Sequence, residues 1–299
     1  MRHLFCGISI FLMVISSVKI QGQNRIMISN DDFGFKGYFF IDDYLYPVDT
    51  LDTERMRVTY RLEIISDKLP DNKIEMEYLL QAGVHVTRFL NKSRFLSDSL
   101  YFLYPERKSS SYTASARAIY TQGNPLFYYD SFYGDRLDGK TTFTTRLAAD
   151  DFIYEEVPDF KWMISPDSTE TICGYECRKA TCHFRGREYE AYYAEDLPIS
   201  SGPWKFRGLP GLILKVGDKS GLYRYTATNV REGESAIIRF RYPYIRITSK
   251  DYLKMFRQYL KNYIGFVNSH IGRTNFIEFA EIDNFKSIKP IEPQELEIE

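Results

Sequence analysis

Apolar and polar positions alternate with a period of two along much of this chain. Met56, Val58, Tyr60, Leu62 and Ile64 share one side of a run, and Arg57, Thr59, Arg61 and Glu63 share the other. That period marks a half-buried strand. Leu69-Pro70-Asp71-Asn72 reads as a turn, after which Ile74, Met76, Tyr78 and Leu80 alternate with Lys73, Glu75 and Glu77. The two runs predict an antiparallel hairpin with one wet face. Further strands are expected over Val84 to Leu90, Leu126 to Tyr133, Thr141 to Arg146, Phe152 to Glu156 and Lys161 to Ile164, with Ser165-Pro166-Asp167 as a turn. Arg178 to Phe184, the turn Arg185-Gly186-Arg187 and Glu188 to Ala194 predict a second hairpin. Pro198 to Pro210 is dense in Gly and Pro and reads as a loop, followed by strands at Leu212 to Val216, Leu222 to Val230 and Ile237 to Ile247, the last interrupted at Pro243.

One segment changes period. Tyr252, Leu253, Phe256, Tyr259, Leu260 and Tyr263 recur at helical spacing. Ser249 is the expected cap, Asp251 suits the positive end of the helix dipole, and Gly265 is the expected stop. No internal repeat and no linker divides residues 23–299. The expected fold is mainly β: one domain with a large curved antiparallel sheet or half-barrel and a single C-terminal amphipathic helix packed on it.

Composition agrees with strands. Aromatic residues make up 16% of the 299, with 24 Tyr and 22 Phe against 2 Trp, and strands favour such side chains. The N-terminus adds a compartment. Arg2 and His3 precede the almost wholly apolar Leu4 to Val14, and the stretch turns polar by Gly22. This is the layout of a secretory signal over 1–22. The run is too short for a membrane span, which needs ~20 apolar residues, and no later segment approaches that length. Without 1–22 the chain carries 37 basic against 40 acidic residues, a balance of −3. No basic excess exists to neutralise a phosphate backbone, so nucleic acid is excluded as an expected partner.

The chemistry-bearing motifs are few. No nucleophile elbow, zinc-protease helix, phosphate-binding loop or dinucleotide fingerprint occurs, so neither a catalytic residue, a metal site nor a cofactor is expected. Asp31-Asp32 and Asp150-Asp151 are paired acids, but strand neighbours point to opposite faces, so neither pair supplies the two facing carboxyls of glycosidic chemistry. Cys173 and Cys177 flank Gly174-Tyr175-Glu176, a stretch able to turn, and are the disulfide candidates; Cys182 is left over. A zinc site using His183 is the remote alternative.

The densest block runs from Cys173 to Val216, CGYECRKATCHFRGREYEAYYAEDLPISSGPWKFRGLPGLILKV. Pro presets one turn position and Gly accepts positive φ at the next, so Leu209-Pro210-Gly211-Leu212 fits a type II turn leading into a strand. Trp204, Phe206, Leu209 and Leu212 can then bury a large apolar area, and Arg187 or Lys205 can lie over a ring. The block is either a folding nucleus at a sheet corner or a groove for a ligand.

In these residues the chain resembles the GLPGLI family, secreted proteins typical of Bacteroidetes. The resemblance rests on Gly208-Leu209-Pro210-Gly211-Leu212-Ile213, on Gly174-Tyr175 with Cys177, on Phe184 with Gly186-Arg187, on Ala191-Tyr192-Tyr193, and on Gly202-Pro203-Trp204-Lys205-Phe206. Tyr192 stands where the family commonly has Trp. The family implies export to the periplasm or cell surface and brings no biochemical activity. The expected function is therefore that of an exported cell-envelope protein binding a partner protein, or an apolar or peptide ligand, without catalysis. Arg187, Tyr192, Trp204, Lys205, Phe206, Gly208, Leu209, Pro210 and Gly211 are the candidate contact residues. The alternative is a hydrolase of unfamiliar type whose acids are assembled by the fold.

Overall fold

The computed structural model describes residues 25–29, 38–42, 46–65, 73–103, 129–147 and 150–261. The expected leader at 1–22, Asp31-Asp32, the turn at Leu69–Asn72 and the helix stop at Gly265 lie outside them. The chain divides into two compact units, one comprising Met1–Leu45 with Thr274–Ser287 and the other Tyr46–Arg273 with Ile288–Glu299. In the first, β1 (Arg25–Ser29) pairs antiparallel with β2 (Tyr38–Asp42).

The second unit is built on one sheet of twelve strands. Its centre is the expected hairpin of β4 (Met56–Ile65) and β5 (Lys73–Ala82). On one side follow β6 (Val86–Asn91), β7 (Ser131–Asp135), β8 (Thr141–Leu147), β9 (Asp150–Glu156) and the short β16 (Ile245–Arg246). On the other side lie β14 (Tyr223–Glu232), β13 (Leu212–Asp218), β12 (Arg187–Ala194), β11 (Tyr175–Phe184) and β10 (Met163–Ile172). All neighbours are antiparallel except β16 on β9. A separate ribbon pairs β15 (Ala236–Phe240) with β3 (Val48–Thr53).

Two expectations are corrected here. The sheet is open: it ends on β10 and β16, which do not pair with each other, so the curved or half-barrelled architecture is not what forms. Two helices are present instead of one: α1 (Lys92–Leu103) follows β6, and α2 (Ser249–Lys261) is the expected C-terminal helix. The start of α1 is marked by Asn91, whose Oδ1 accepts the Ser93 amide at 2.8 Å, a cap of ordinary type. At α2 the cap is Thr248 and not Ser249. Its hydroxyl accepts the Asp251 amide at 3.1 Å and donates to the Asp251 carboxylate at 2.7 Å.

Alternation gives the sheet one apolar face. Leu80 lies opposite Phe89, Phe89 opposite Phe132, Phe132 opposite Phe143 and Phe143 opposite Tyr154. The rings touch, Phe132 and Phe143 at 4.6 Å and Phe143 and Tyr154 at 4.9 Å between centroids. Such cross-strand pairs each contribute roughly 0.2–1 kcal/mol relative to a pair of alanines. Tyr252 of α2 packs on Phe143 and Tyr154 and closes this end of the core. The expected wet face is only partly wet. Lys73, Glu75 and Glu77 are exposed, whereas Arg57, Gln81 and Arg88 are buried. Asp98 of α1 takes a bond from Arg88 Nη2 at 2.6 Å and from Arg94 Nε at 2.7 Å. Glu54 meets Arg57 and Gln81, the latter at 3.0 Å.

Candidate functional site

The residues singled out in the sequence gather on the loop between β12 and β13. This loop doubles back along β13: Leu212 N donates to Leu197 O at 3.0 Å, and Ile213 N to Ser201 O at 2.9 Å. Gly202-Pro203 then turns the chain, and the bond from Phe206 N to Pro203 O at 3.1 Å closes a tight turn around Trp204 and Lys205. Trp204 has φ 54°. A bulky residue rarely adopts that region, at a cost of roughly 1–2 kcal/mol.

Burial offsets that strain. Trp204 is 9% exposed and Phe206 2%. Their rings meet edge to face at 5.0 Å, Trp204 reaches Phe132 and Phe184 at 6.4 Å, and Phe206 packs on Tyr189 at 5.0 Å and Phe160 at 5.1 Å. Each large ring enclosed this way is worth about 1.5–3 kcal/mol. The loop thus supplies a second layer over the apolar face. Lys205 is buried with them, its Nζ 4.4 Å above the Trp204 ring and paired with the Glu156 carboxylate. Arg185 reaches the same carboxylate at 2.6 Å. Burial alone would raise the Glu156 carboxyl, but the Lys205 ammonium and then Arg185 outweigh it and hold it below its ordinary range.

The Pro-Gly corner works differently from expectation. Positive φ falls on Gly208, at 94°, and not on Gly211. Gly211 is required for space: a Cβ there would sit 2.2 Å from Ala194 O. Leu209 is buried, while Gly208 and Pro210 are exposed. The remaining candidates lie apart from this loop. Arg187 faces Asp218 at 3.6 Å and the Tyr223 ring at 5.9 Å. Tyr192, half-buried, lies 5.0 Å from Lys215 Nζ. Cys173, Cys177 and Cys182 are all free thiols, so the Cys173–Cys177 bond considered above is not formed. Cys173 with Gly174 makes the β10–β11 turn, at φ 51° and 84°, and its Sγ donates to Ala227 O at 3.3 Å. Burial pushes the Cys177 thiol up to about 11 and the Cys182 thiol up to about 12.

Two narrow clefts open on the second unit. One, of about 20 Å³, is lined by Trp204, Lys205, Phe206 and Arg207 from the loop and by Thr87, Asp135 and Arg136 from the sheet. The other, of about 10 Å³, lies among Arg88, Arg94, Tyr133, Thr144, Asp151 and Tyr242. Volumes of that order accommodate about one water molecule, against the ~300 Å³ or more of a small-molecule pocket. Among the described residues no three His, Cys, Asp or Glu side chains gather as a metal site would require. Of the paired acids, Asp151 is engaged: Arg146 holds it with two bonds, at 2.8 and 3.0 Å.

Sequence reasoning passed over three side chains that matter here. Arg207 stands inside the block, between buried Phe206 and Gly208, and Arg136 sits at the β7–β8 turn. Asp130 precedes β7; burial raises its carboxyl to about 7, against the opposing bond from the Thr145 hydroxyl. Arg207 had a signal, a charged residue within a run of core aromatics. Asp130 had none, because its environment comes from strands distant in sequence.

Residues 185–215 match a family described as a protein of unknown function, Porph_ging. No curated protein matches the chain. Among solved structures, PNGF-II in a P21 crystal form is similar at 16% identity over 68% of this chain, with a TM-score of 0.45. PNGF-II in a C2 form is similar at 14% identity over 67% of this chain, again with a TM-score of 0.45. The chain spans about a third of the length of those structures, covering 33% and 32% of them. Of these comparisons only the family match bears on the loop described here, and it falls wholly within the Cys173–Val216 block without bringing an activity.

Proposed function

We propose that this chain is an exported cell-envelope protein that binds a partner protein without catalysis. The apolar leader at 1–22 and the resemblance of Cys173–Val216 to the GLPGLI family support export. Among the described residues no helix is long and apolar enough to cross a membrane. The observation that carries the binding reading is the use made of the block: Trp204, Phe206 and Leu209 fill the interior. A groove for an enclosed ligand would leave those rings bare. Recognition then falls to the surface around them, which favours a protein partner over a small apolar ligand.

A photoreactive residue at Leu137, an exposed tip, tests this in cells, with one at Leu96 on α1 as control. A discrete adduct from position 137 and none from 96 is expected. No adduct from either position would overturn the reading, and full-length chain retained in the cytosol with 1–22 attached would overturn export. The hydrolase alternative keeps one supporting observation, the Asp130 carboxyl near neutrality. On that reading Asp130→Asn abolishes hydrolysis in a screen of esters, peptides and glycosides and leaves the 137 adduct unchanged.

A further inference from the structure

The 20 Å³ cleft opens at a rim made of loop tips tied to one another. Arg136 N donates to His85 O at 2.9 Å. Arg136 Nη1 donates to Gly83 O at 2.8 Å and to Val84 O at 3.1 Å. Arg207 Nη1 donates to Asp135 O at 3.0 Å, and Arg207 O accepts from Trp162 Nε1 at 2.7 Å. The tips of β5–β6 and β7–β8 and the β12–β13 loop therefore form one connected edge.

Two features of that edge are unusual together. First, the partners of both guanidiniums among the described residues are neutral carbonyls, reached through Nη1 alone. The nearby acids bond to backbone amides and not to the two guanidiniums. Asp135 Oδ1 accepts from Leu137 N at 2.7 Å and Asp138 N at 3.2 Å. Asp52 Oδ2 accepts from His85 N at 2.7 Å and Val86 N at 3.0 Å. Asp138 Oδ1 accepts from Lys140 N at 2.8 Å, and its other oxygen lies 3.8 Å from Lys140 Nζ. Arg207 is half-buried, and that burial holds its guanidinium below its ordinary range although Asp138 and Asp135 act in the opposite sense. Second, two large apolar side chains stand in solvent beside the guanidiniums: Leu137 is 83% exposed and Val84 49%. Arg forks with free Nε and Nη2 donors match a carboxylate in two-point geometry. Leu137 follows Arg136 in the chain and the Val84 carbonyl accepts from Arg136 Nη1, so both apolar side chains belong to the tips that carry that fork.

We infer that the Arg136–Arg207 rim is where the partner docks, and that it takes a partner segment carrying an acidic side chain next to a large apolar one. The carboxylate bonds to the two guanidiniums, and the apolar neighbour covers Leu137 and Val84. This rests on the partner-binding reading above and adds the chemistry of the partner.

Both tryptophans of the chain report on the cleft, since Trp204 lines it and Trp162 bonds the Arg207 carbonyl. The test titrates the purified protein with the capped peptide acetyl-Leu-Glu-Leu-Glu-Leu-amide and with its counterpart bearing Gln for Glu, and follows tryptophan emission. A saturable change is expected with the acidic peptide. Binding should be at least tenfold weaker for the Gln peptide and for the Arg136→Gln, Arg207→Gln double variant, and should weaken as salt rises. Equal binding of both peptides, no binding of either, or full binding by a double variant of unchanged melting temperature would overturn the inference. Should the double variant unfold, Arg136→Gln alone serves, because its side-chain bonds go only to two carbonyls of the β5–β6 tip; at least a threefold loss is then expected, and none contradicts. The two proposals separate in cells. A Leu137 adduct undiminished by the double variant sinks the acidic docking and leaves partner binding standing. No adduct at all sinks partner binding, while the peptide titration still decides the chemistry of the cleft.

Discussion

Gly211→Ala is the sharpest test of how the loop is packed. The added Cβ would stand 2.2 Å from Ala194 O and 2.7 Å from the Ala194 carbonyl carbon. These are backbone atoms, so no side chain can swing away. Restoring ordinary contact requires the end of β12 and the start of β13 to part by about 1 Å, and overpacking of that kind costs about 1–3 kcal/mol. The parting falls where Ala194 pairs with Leu212. It also stretches the 3.0 Å bond from Leu212 N to Leu197 O out of range, which removes about 1 kcal/mol more. The expected loss is therefore about 2–4 kcal/mol, a fall in melting temperature of roughly 4–16 °C for a chain of this size. Gly221→Ala is the control. Gly221 has φ 79° and no atom within 4 Å of the added methyl, so only the conformational cost of roughly 1–2 kcal/mol applies. Thermal and urea unfolding of the two variants beside the parent decides the matter. If Gly211→Ala melts within 1 °C of the parent, or no lower than Gly221→Ala, the close approach of β12 to this corner is wrong.

Three further outcomes are expected. Removing one partner of the buried Arg88–Asp98 pair, as in Asp98→Asn, should cost about 3–5 kcal/mol in urea unfolding, whereas Arg88→Met with Asp98→Leu should recover only part of it, because the buried Arg94 still loses its bond to Asp98. Asp130 binds its proton more tightly folded (about 7) than unfolded (about 3.8), so its contribution is full at low pH and lost as pH rises towards 7; Asp130→Asn should flatten the melting temperature over that window, and an unchanged slope refutes the assignment. Glu156 has the opposite sign, being held below its ordinary 4.5, so its share is lost only as pH falls below that value. Among Cys173, Cys177 and Cys182, a thiol reagent should label Cys173 first in the native protein, since the other two are buried with thiols pushed up to about 11 and 12; equal labelling of all three would contradict that packing.

The β4–β5 hairpin was legible because its period is simple and its turn residues are unambiguous. The same pattern misleads about its second face, where Arg57 stands at a polar alternating position yet is covered, together with Gln81 and Arg88, by α1 and the β15–β3 ribbon. α1 itself has no acid in its first turn and no base in its last, so the usual dipole signature is missing and only Asn91 marks its start. Pro166 predicts a break after Ile164, but β10 continues through an irregularity between Ser165 and Thr169. In the block, burial of Trp204, Phe206 and Leu209 followed from their apolar area. The Gly211 role did not, since close approach to Ala194 is a tertiary fact. Arg136 and Arg207 are invisible as a pair for the same reason, since what joins them is the bond from Arg207 to the Asp135 carbonyl, 72 residues away in sequence.

The claim on which the rest stands is that the Trp204–Phe206 turn is interior, leaving recognition to the rim. Replacing Trp162 by Phe leaves Trp204 as the sole indole, and acrylamide quenching of its emission reads its exposure directly. Blue-shifted emission with weak quenching, rising to full quenching in urea, is the predicted result. Red-shifted emission quenched as freely in the native protein as in the unfolded chain would place that turn in water and contradict the account.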